Sequence, residues 1–278
     1  MLVSGLIGDP VDHSLSAFMH NAAFEALGID ARYELWTTRT EELPARLHSL
    51  RTRNVLGANV TVPHKRAVMP LLDDVSDAAR RIGAVNTLIP RADLLLGENT
   101  DAYGFGRSLL ELTEGAIPAS ALVVGAGGAS RAVLVSLQDA GVADIRIVNR
   151  TPATARSLAA ALNGPDRPSI VTAPWSQLTD LAPATQLIVN ATSIGWHDGD
   201  LPFEAGIVNL LPPEAVVMDL TYRQTSMLRL ASDRALRSVD GLPMLIYQGA
   251  RAFRLWTGQD APIDAMSNAV RAAYASRS

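Results

Sequence analysis

Lys65 and Asp101 form the strongest acid–base pair that the sequence offers. A lysine ammonium can give a proton to an oxygen that is gaining negative charge, and the neutral amine can take one from a hydroxyl. An aspartate beside it would hold it in place. Lys65 closes the stretch Gly57-Ala-Asn-Val-Thr-Val-Pro-His-Lys65, which begins as a strand and meets a strand-ending residue at Pro63. Asn59 and Thr61 alternate with Val60 and Val62 and so share one face of that strand. Buried amides and hydroxyls are costly unless paired, and a ligand carrying several hydroxyls would pair them. Asn86 repeats the pattern in Gly83-Ala-Val-Asn-Thr-Leu88, and Asn99-Thr100-Asp101 follows. Ser14 and Ser16 flank Leu15 just before a helical stretch. One hydroxyl there is expected as an N-cap; two at a helix N-terminus suit a carboxylate.

A second centre lies in Val123-Val-Gly-Ala-Gly-Gly-Ala-Ser-Arg-Ala-Val133, where a strand turns into a helix. Gly125 and Gly127 permit a tight turn and let backbone N–H groups approach a pyrophosphate at the positive end of the helix. Ser130 is small enough for close helix–sheet packing. The context of strand, turn and helix makes this a dinucleotide site. The next strand ends at Asn149-Arg150-Thr151. A carboxylate there would hold a ribose 2′-hydroxyl; Arg150 instead has the charge and fork for a 2′-phosphate. NADP(H) is therefore expected over NAD(H). An arginine at a helix start also opposes the helix dipole, which favours an anion-binding role.

These residues need a scaffold that aims them. Short apolar runs at Leu2–Ile7, Tyr33–Thr37, Leu56–Val62, Ala84–Ile89, Ala121–Gly125, Ile145–Asn149, Leu187–Asn190 and Val216–Asp219 read as strands. Helical stretches such as Ser16–Leu27, Ala129–Ala140 and Pro152–Leu162 separate them. The alternation predicts an α/β fold with parallel sheets covered by helices. A seam falls near Asn99–Tyr103, and the helices Pro243–Thr257 and Pro262–Ser276 are expected to pack back on the first half, making that domain discontinuous.

Composition narrows the classes. The 278 residues are 48% apolar and carry a formal net charge of −4, with no basic block, so nucleic acid is not an expected partner. No cysteine is present, which excludes disulfides, thiolate nucleophiles and cysteine-ligated metals and fits a cytoplasmic protein. The N-terminus reads as a first strand without a signal-peptide pattern, and no apolar run approaches the roughly 18–20 residues of a membrane span. The five histidines show no metal-binding spacing, and no metal is expected.

The stretches GDPVDHSLSAFMHN, GANVTVPHK, RIGAVNTL, GENTDAYGF, GAGGASRAV, VNRT, NATSIG, DLTYR and GLPMLIYQGARAFRLWTG occur in one order over nearly the whole chain. In this the chain resembles the shikimate dehydrogenase family. The resemblance implies NADPH-linked reversible reduction of 3-dehydroshikimate to shikimate, in chorismate and aromatic amino-acid biosynthesis. It implies a substrate domain of residues 1–101 plus 240–278 and a Rossmann-type NADP-binding domain of residues 102–239, with a cleft between them. By matched position, Ser14, Ser16 and Tyr222 would meet the substrate carboxylate. Thr61, Asn86, Asp101 and Gln248 would bind ring hydroxyls, with Asn59 on the same strand face, and Lys65 would be the acid–base residue with Asp101 as its partner. Gly125, Ala126, Gly127, Gly128, Ala129 and Ser130 would cradle the pyrophosphate, and Asn149, Arg150 and Thr151 the 2′-phosphate. Met218 and Gly241 lie in stretches that line the nicotinamide in the family.

Departures from the family pattern are few. Ala17 stands where proline is frequent. Ala102 replaces a frequent glycine, which would be strained at positive φ. Gln224 and Met227 alter the segment after Tyr222, and Thr154 stands where some members add a second arginine. Quinate-using relatives often carry threonine at the second serine and an acidic residue after the second cofactor strand; Ser16 and Arg150 favour shikimate. A non-catalytic sensor of shikimate-type ligands is the alternative from another class, and it would usually lack Lys65 or Asp101. The sequence leaves the oligomeric state open, a homodimer among the assemblies it allows.

Overall fold

The structure, a computed structural model, describes residues 1–197 and 199–276. The chain forms two compact units, one of Met1–Gly104 with Leu245–Ser278 and one of Phe105–Met244. In chain order the first elements are β1 (Leu2–Gly8), α1 (Ser16–Ala26), β2 (Ala31–Thr37), α2 (Leu43–Ser49), β3 (Val55–Val60), β4 (Asp74–Val75), α3 (Asp77–Ile82), β5 (Thr87–Arg91) and β6 (Leu94–Glu98). Next come α4 (Asp101–Leu112), β7 (Ser120–Val124), α5 (Gly128–Asp139), β8 (Asp144–Val148), α6 (Pro152–Leu162), β9 (Ile170–Thr172), α7 (Leu178–Leu181) and β10 (Leu187–Asn190). The last are α8 (Gly206–Leu210), β11 (Val216–Asp219), α9 (Ser226–Asp233), β12 (Arg237–Val239), α10 (Leu242–Thr257) and α11 (Ile263–Ala275).

The sheet of the first unit has the order β2-β1-β3-β5-β6-β4. β1 pairs in parallel with β2 and β3, whereas β5 runs antiparallel to both β3 and β6. The sheet is therefore mixed, not wholly parallel as the alternation of strands and helices predicts. For the β5–β6 pair the cause is local: the connection is a tight turn at Ala92, at φ 51°, too short for a helical crossover. The antiparallel pairing sets Asn59 opposite Thr87 and brings Asn86 beside the end of β3. One face of the sheet is closed by Ile7, Ala58, Val60 and Leu88 packed with Leu43, Leu47 and Leu50 around α2. α11 packs against α1, and Trp256 of α10 donates its indole N–H to the Leu88 carbonyl at 3.0 Å. A Cβ on Gly57 would stand 2.2 Å from that indole nitrogen, so only glycine permits this approach.

The sheet of the second unit, β12-β11-β10-β7-β8-β9, is parallel throughout. Numbered within the unit, its order is 3-2-1-4-5-6 read from the far edge, with the reversal between β7 and β10; in open α/β sheets ligands bind at the carboxyl ends of strands at such a reversal. The four central strands, β7, β8, β10 and β11, are largely buried and rich in Val, Ile and Leu, as helices on both faces require, whereas the edge strands β9 and β12 are partly exposed. On one face Leu122, Ile188 and Val217 meet Ile207, Val208, Met227 and Leu228. No helix is long and apolar enough to cross a membrane among the described residues.

Candidate active site

In the first unit the Lys65 ammonium lies 2.5 Å from Asp101 Oδ2, with the lysine side chain 18% and the aspartate 8% exposed. Asp101 Oδ1 accepts from the Asn86 amide at 2.8 Å. The same amide reaches Thr100 Oγ1 at 3.0 Å and Gln248 Oε1 at 3.2 Å, and Asn86 Oδ1 accepts the Thr100 N–H at 2.7 Å. Gln248 is fixed by donating to the Leu245 carbonyl at 2.8 Å, one turn earlier on α10. Lys65, Asn86, Asp101 and Gln248 thus meet in one hydrogen-bonded cluster.

The strand before Lys65 ends earlier than its sequence predicts. β3 ends at Val60, before Pro63, and Val62 is exposed. Lys65 lies in the turn beyond, held by backbone bonds and a neighbour's ring. Its carbonyl accepts from Val85 N–H at 2.7 Å, and the buried His64 ring meets the Thr38 carbonyl at 2.6 Å. Asp101 opens α4, and its N–H is bound by Asn99 Oδ1 at 3.0 Å.

Ser14 and Ser16 are both buried at the start of α1. The Ser14 hydroxyl accepts the Ser16 N–H at 3.2 Å, while Leu15 occupies the cap position without a side-chain bond. Thr61, half-buried, continues past β3 with its N–H bound to the Ile7 carbonyl at 2.8 Å. Asn59 departs from its expected use: its polar atoms are already paired within the protein. Its Oδ1 accepts from the Tyr33 phenol at 2.8 Å, and its amide donates to the Asn86 carbonyl at 3.2 Å and Thr87 Oγ1 at 3.3 Å. Burial pushes the Tyr33 phenol well above its ordinary pKa, and the Ser16 hydroxyl tempers that. His20 stacks on Tyr33 with ring centroids 4.4 Å apart and leans on Trp256 at 5.2 Å. Burial lowers its pKa to about 3, offset in part by the nearby Asn59 side chain. Tyr33 has no expected role from sequence, and His20 is considered there only among the histidines that could bind a metal; alternation along β2 could have marked Tyr33 as inward-facing, but not its partner.

In the second unit Gly125 follows β7 at φ 106°, and a Cβ there would come within 2.8 Å of Thr192. Ala126 and Ala129 are partly buried, and Gly127 and Gly128 are exposed, with open space where a Cβ would stand. Ser130 is buried, and its hydroxyl accepts the Gly127 N–H at 3.1 Å, closing the turn onto α5. Asn149 donates to the Thr151 carbonyl at 2.9 Å, which presents Arg150 outward and exposed. Asn149 and Arg150 line a cavity of about 490 Å³ with Trp175, Thr192, Ser193, Ile194 and Pro202. The positive-φ glycine, the open N-terminus of α5 and the exposed guanidinium form a donor set that fits NADP(H). Trp175 went unnoticed in the sequence because nothing in its spacing ties it to the glycine turn.

Met218 is buried in β11, only 1% exposed. Gly241 has a packing reason of its own, since a Cβ would stand 2.2 Å from the Leu220 carbonyl oxygen. Tyr222 sets its ring edge-on to Trp196 at 5.2 Å. The altered residue Met227 fills the core, and Ala102 is helical within α4, so the expected strain is not found. Among the described residues no group of three His, Cys, Asp or Glu side chains could hold a metal.

Residues 6–88 match the shikimate dehydrogenase substrate binding domain, residues 111–195 the shikimate/quinate 5-dehydrogenase family, and residues 241–271 the shikimate 5′-dehydrogenase C-terminal domain. A shikimate dehydrogenase (NADP(+)) of Thermus thermophilus is 44% identical over 280 residues, covering 98% of this chain and 99% of the relative. The chain belongs to the shikimate dehydrogenase family. The crystal structure of shikimate 5-dehydrogenase from Thermus thermophilus, in complex with NADP(H) and shikimate, matches with a TM-score of 0.86 at 43% identity, over 98% of this chain and all of that one. Quinate dehydrogenase from Corynebacterium glutamicum in complex with NAD shares the fold at a TM-score of 0.90 and 33% identity, each chain covered to 98–99%. As a family member this chain is an NADP-linked oxidoreductase with a Rossmann-type cofactor unit.

Proposed function

We propose that this chain reduces 3-dehydroshikimate to shikimate reversibly, with the first unit (residues 1–104 and 245–278) holding the substrate and the second (105–244) holding NADP(H). The observation that carries the reading is the Lys65–Asp101 pair at 2.5 Å inside a cluster of side chains suited to ring hydroxyls. NADPH, when bound, would supply the hydride for the reduction. Lys65, as the ammonium, gives the ketone oxygen its proton, and Asp101 holds the ammonium in line; in the reverse direction the neutral amine takes the hydroxyl proton. Asn86, Asp101, Gln248 and Thr61 fix the ring hydroxyls, and Ser14, Ser16 and Tyr222 take the carboxylate. Asn59 acts behind Asn86 as a positioning residue. Fixing the ring at several points supplies orientation, which can be worth several kcal/mol.

Gly125 to Ser130 receive the pyrophosphate, and Asn149, Arg150 and Thr151 the 2′-phosphate; Met218 and Gly241 belong to the wall on the nicotinamide side. Ser16 and Arg150 favour shikimate and NADP⁺ over quinate and NAD⁺. The test is cofactor reduction with the four pairings of shikimate or quinate and NADP⁺ or NAD⁺. Turnover confined to shikimate with NADP⁺ is expected. Comparable turnover with quinate or NAD⁺ would place the chain with the broader quinate/shikimate enzymes, and none with any pair would favour the sensor reading. Sedimentation velocity on the same sample reads whether it forms a homodimer.

A further inference from the structure

Asp219 closes β11, fully buried, with a carboxylate that meets only neutral donors. Oδ1 accepts the Thr221 N–H at 3.0 Å, and Oδ2 accepts the Thr225 hydroxyl at 2.9 Å. The Asn190 amide reaches both oxygens at 3.1 Å and also donates to the Ile194 carbonyl at 2.9 Å. Asn190 Oδ1 accepts the Thr192 N–H at 3.1 Å and the Thr192 hydroxyl at 2.7 Å, and Thr192 Oγ1 accepts the Ile194 N–H at 3.0 Å. Every bond to Asp219 therefore needs an acceptor oxygen, which a carboxylate supplies on both sides and an acid or an amide on one only. Burial pushes the carboxyl above its ordinary pKa, against these hydrogen bonds, and no lysine or arginine pairs with it among the described residues.

A buried charge without a counter-ion weakens the fold, and such groups gather at functional sites. Here the charge stands between two turns. The turn after β10 carries Thr192, Ser193 and Ile194, which wall the cavity shared with Asn149 and Arg150. The turn after β11 runs through Thr221 to Thr225, whose hydroxyl also caps α9 by accepting the Leu228 N–H at 3.3 Å.

We infer that Asp219 is a positioning residue for the cofactor: its carboxylate, through Asn190, holds the turn Thr192–Ile194 in the shape that receives the adenosine phosphate end of NADP(H). This role rests on the proposed cofactor function of the cavity that the turn walls. Asp219 does not touch the ligand; it orders the wall that does. The test uses the full chain and the dissociation constant of NADP⁺ measured by titration, with thermal unfolding in parallel. Asp219→Asn keeps the volume but sets an N–H₂ against a donor. The dissociation constant is expected to rise at least about tenfold in a variant that still unfolds in one cooperative transition. Thr225→Val deletes the bond to the carboxylate together with the α9 cap and should weaken NADP⁺ about threefold; Thr225→Ser keeps both and should restore binding. This pair decides the matter even where Asp219→Asn fails to fold. NADP⁺ affinity within twofold of wild type in Asp219→Asn or Thr225→Val would overturn the role and leave the cofactor site standing. A wild-type chain that binds no NADP⁺ would overturn both.

Discussion

Arg150 and Lys65 show how much single residues depend on what surrounds them. Arg150 lies exposed at the start of α6, where a positive charge opposes the helix dipole, and it borders the cavity of the second unit. A charge-assisted bond to a phosphate is worth about 1.5–3 kcal/mol. Arg150→Ala should therefore raise the Michaelis constant for NADP⁺ roughly ten- to a hundredfold, while that for shikimate moves little. An unchanged NADP⁺ constant would remove Arg150 from the phosphate site. Lys65 was legible because a lysine just beyond a strand is unusual near so many alternating polar residues. Its actual support, the carbonyl bond to Val85 and the neighbouring His64 ring on Thr38, was not, since both partners are distant in sequence.

At the scale of elements, the four central strands of the second unit were legible because each is a largely buried apolar run, as in Val123-Val and Ile188-Val, whereas the edge strands β9 and β12, short and partly exposed, gave no such signal. β5 was the difficult case. Its sequence reads as one more apolar strand over Ala84–Ile89, whereas β5 runs over Thr87–Arg91 antiparallel to both neighbours, and the tight turn at Ala92 that returns the chain into β6 has no glycine to mark it. The antiparallel run pairs Asn59 with Thr87, and so turns Asn59 inward onto Tyr33 of β2 and Asn86. Tyr33→Phe keeps the ring stack on His20 and leaves Asn59 Oδ1 without its donor. The expected loss is about 1–3 kcal/mol of stability. The shikimate Michaelis constant should rise with it as the Asn86 end of β5 loosens, while NADP⁺ affinity is unchanged. Equal constants for both ligands in wild type and variant would confine Tyr33 to a packing role.

At the scale of the whole molecule, the proposed function divides two tasks between two units, which carry titratable groups of opposite effect. His20 has a folded pKa of about 3 against an unfolded 6.5, so the folded state binds fewer protons between those values. Its neutral, buried form contributes stability that is fully present above pH 6.5 and lost as the pH falls toward 3, up to about 4–5 kcal/mol. Asp219, raised above 3.8, works the other way: its unfavourable charge is relieved as the pH falls through its folded pKa. The histidine window is the wider test. Unfolding free energy measured from pH 7 to 4 should fall less steeply in His20→Phe than in wild type, and identical slopes would assign the acid loss to other groups.

The division of labour itself is tested most directly by Lys65→Ala, with turnover and the NADP⁺ dissociation constant measured on one preparation. Loss of a positioned general acid–base costs about 10²–10⁴-fold in rate. The account predicts a turnover number lowered by that factor, with NADP⁺ bound as tightly as by the wild type. Turnover within about tenfold of wild type would contradict Lys65 as the proton donor, and with it the site assembled around Asp101.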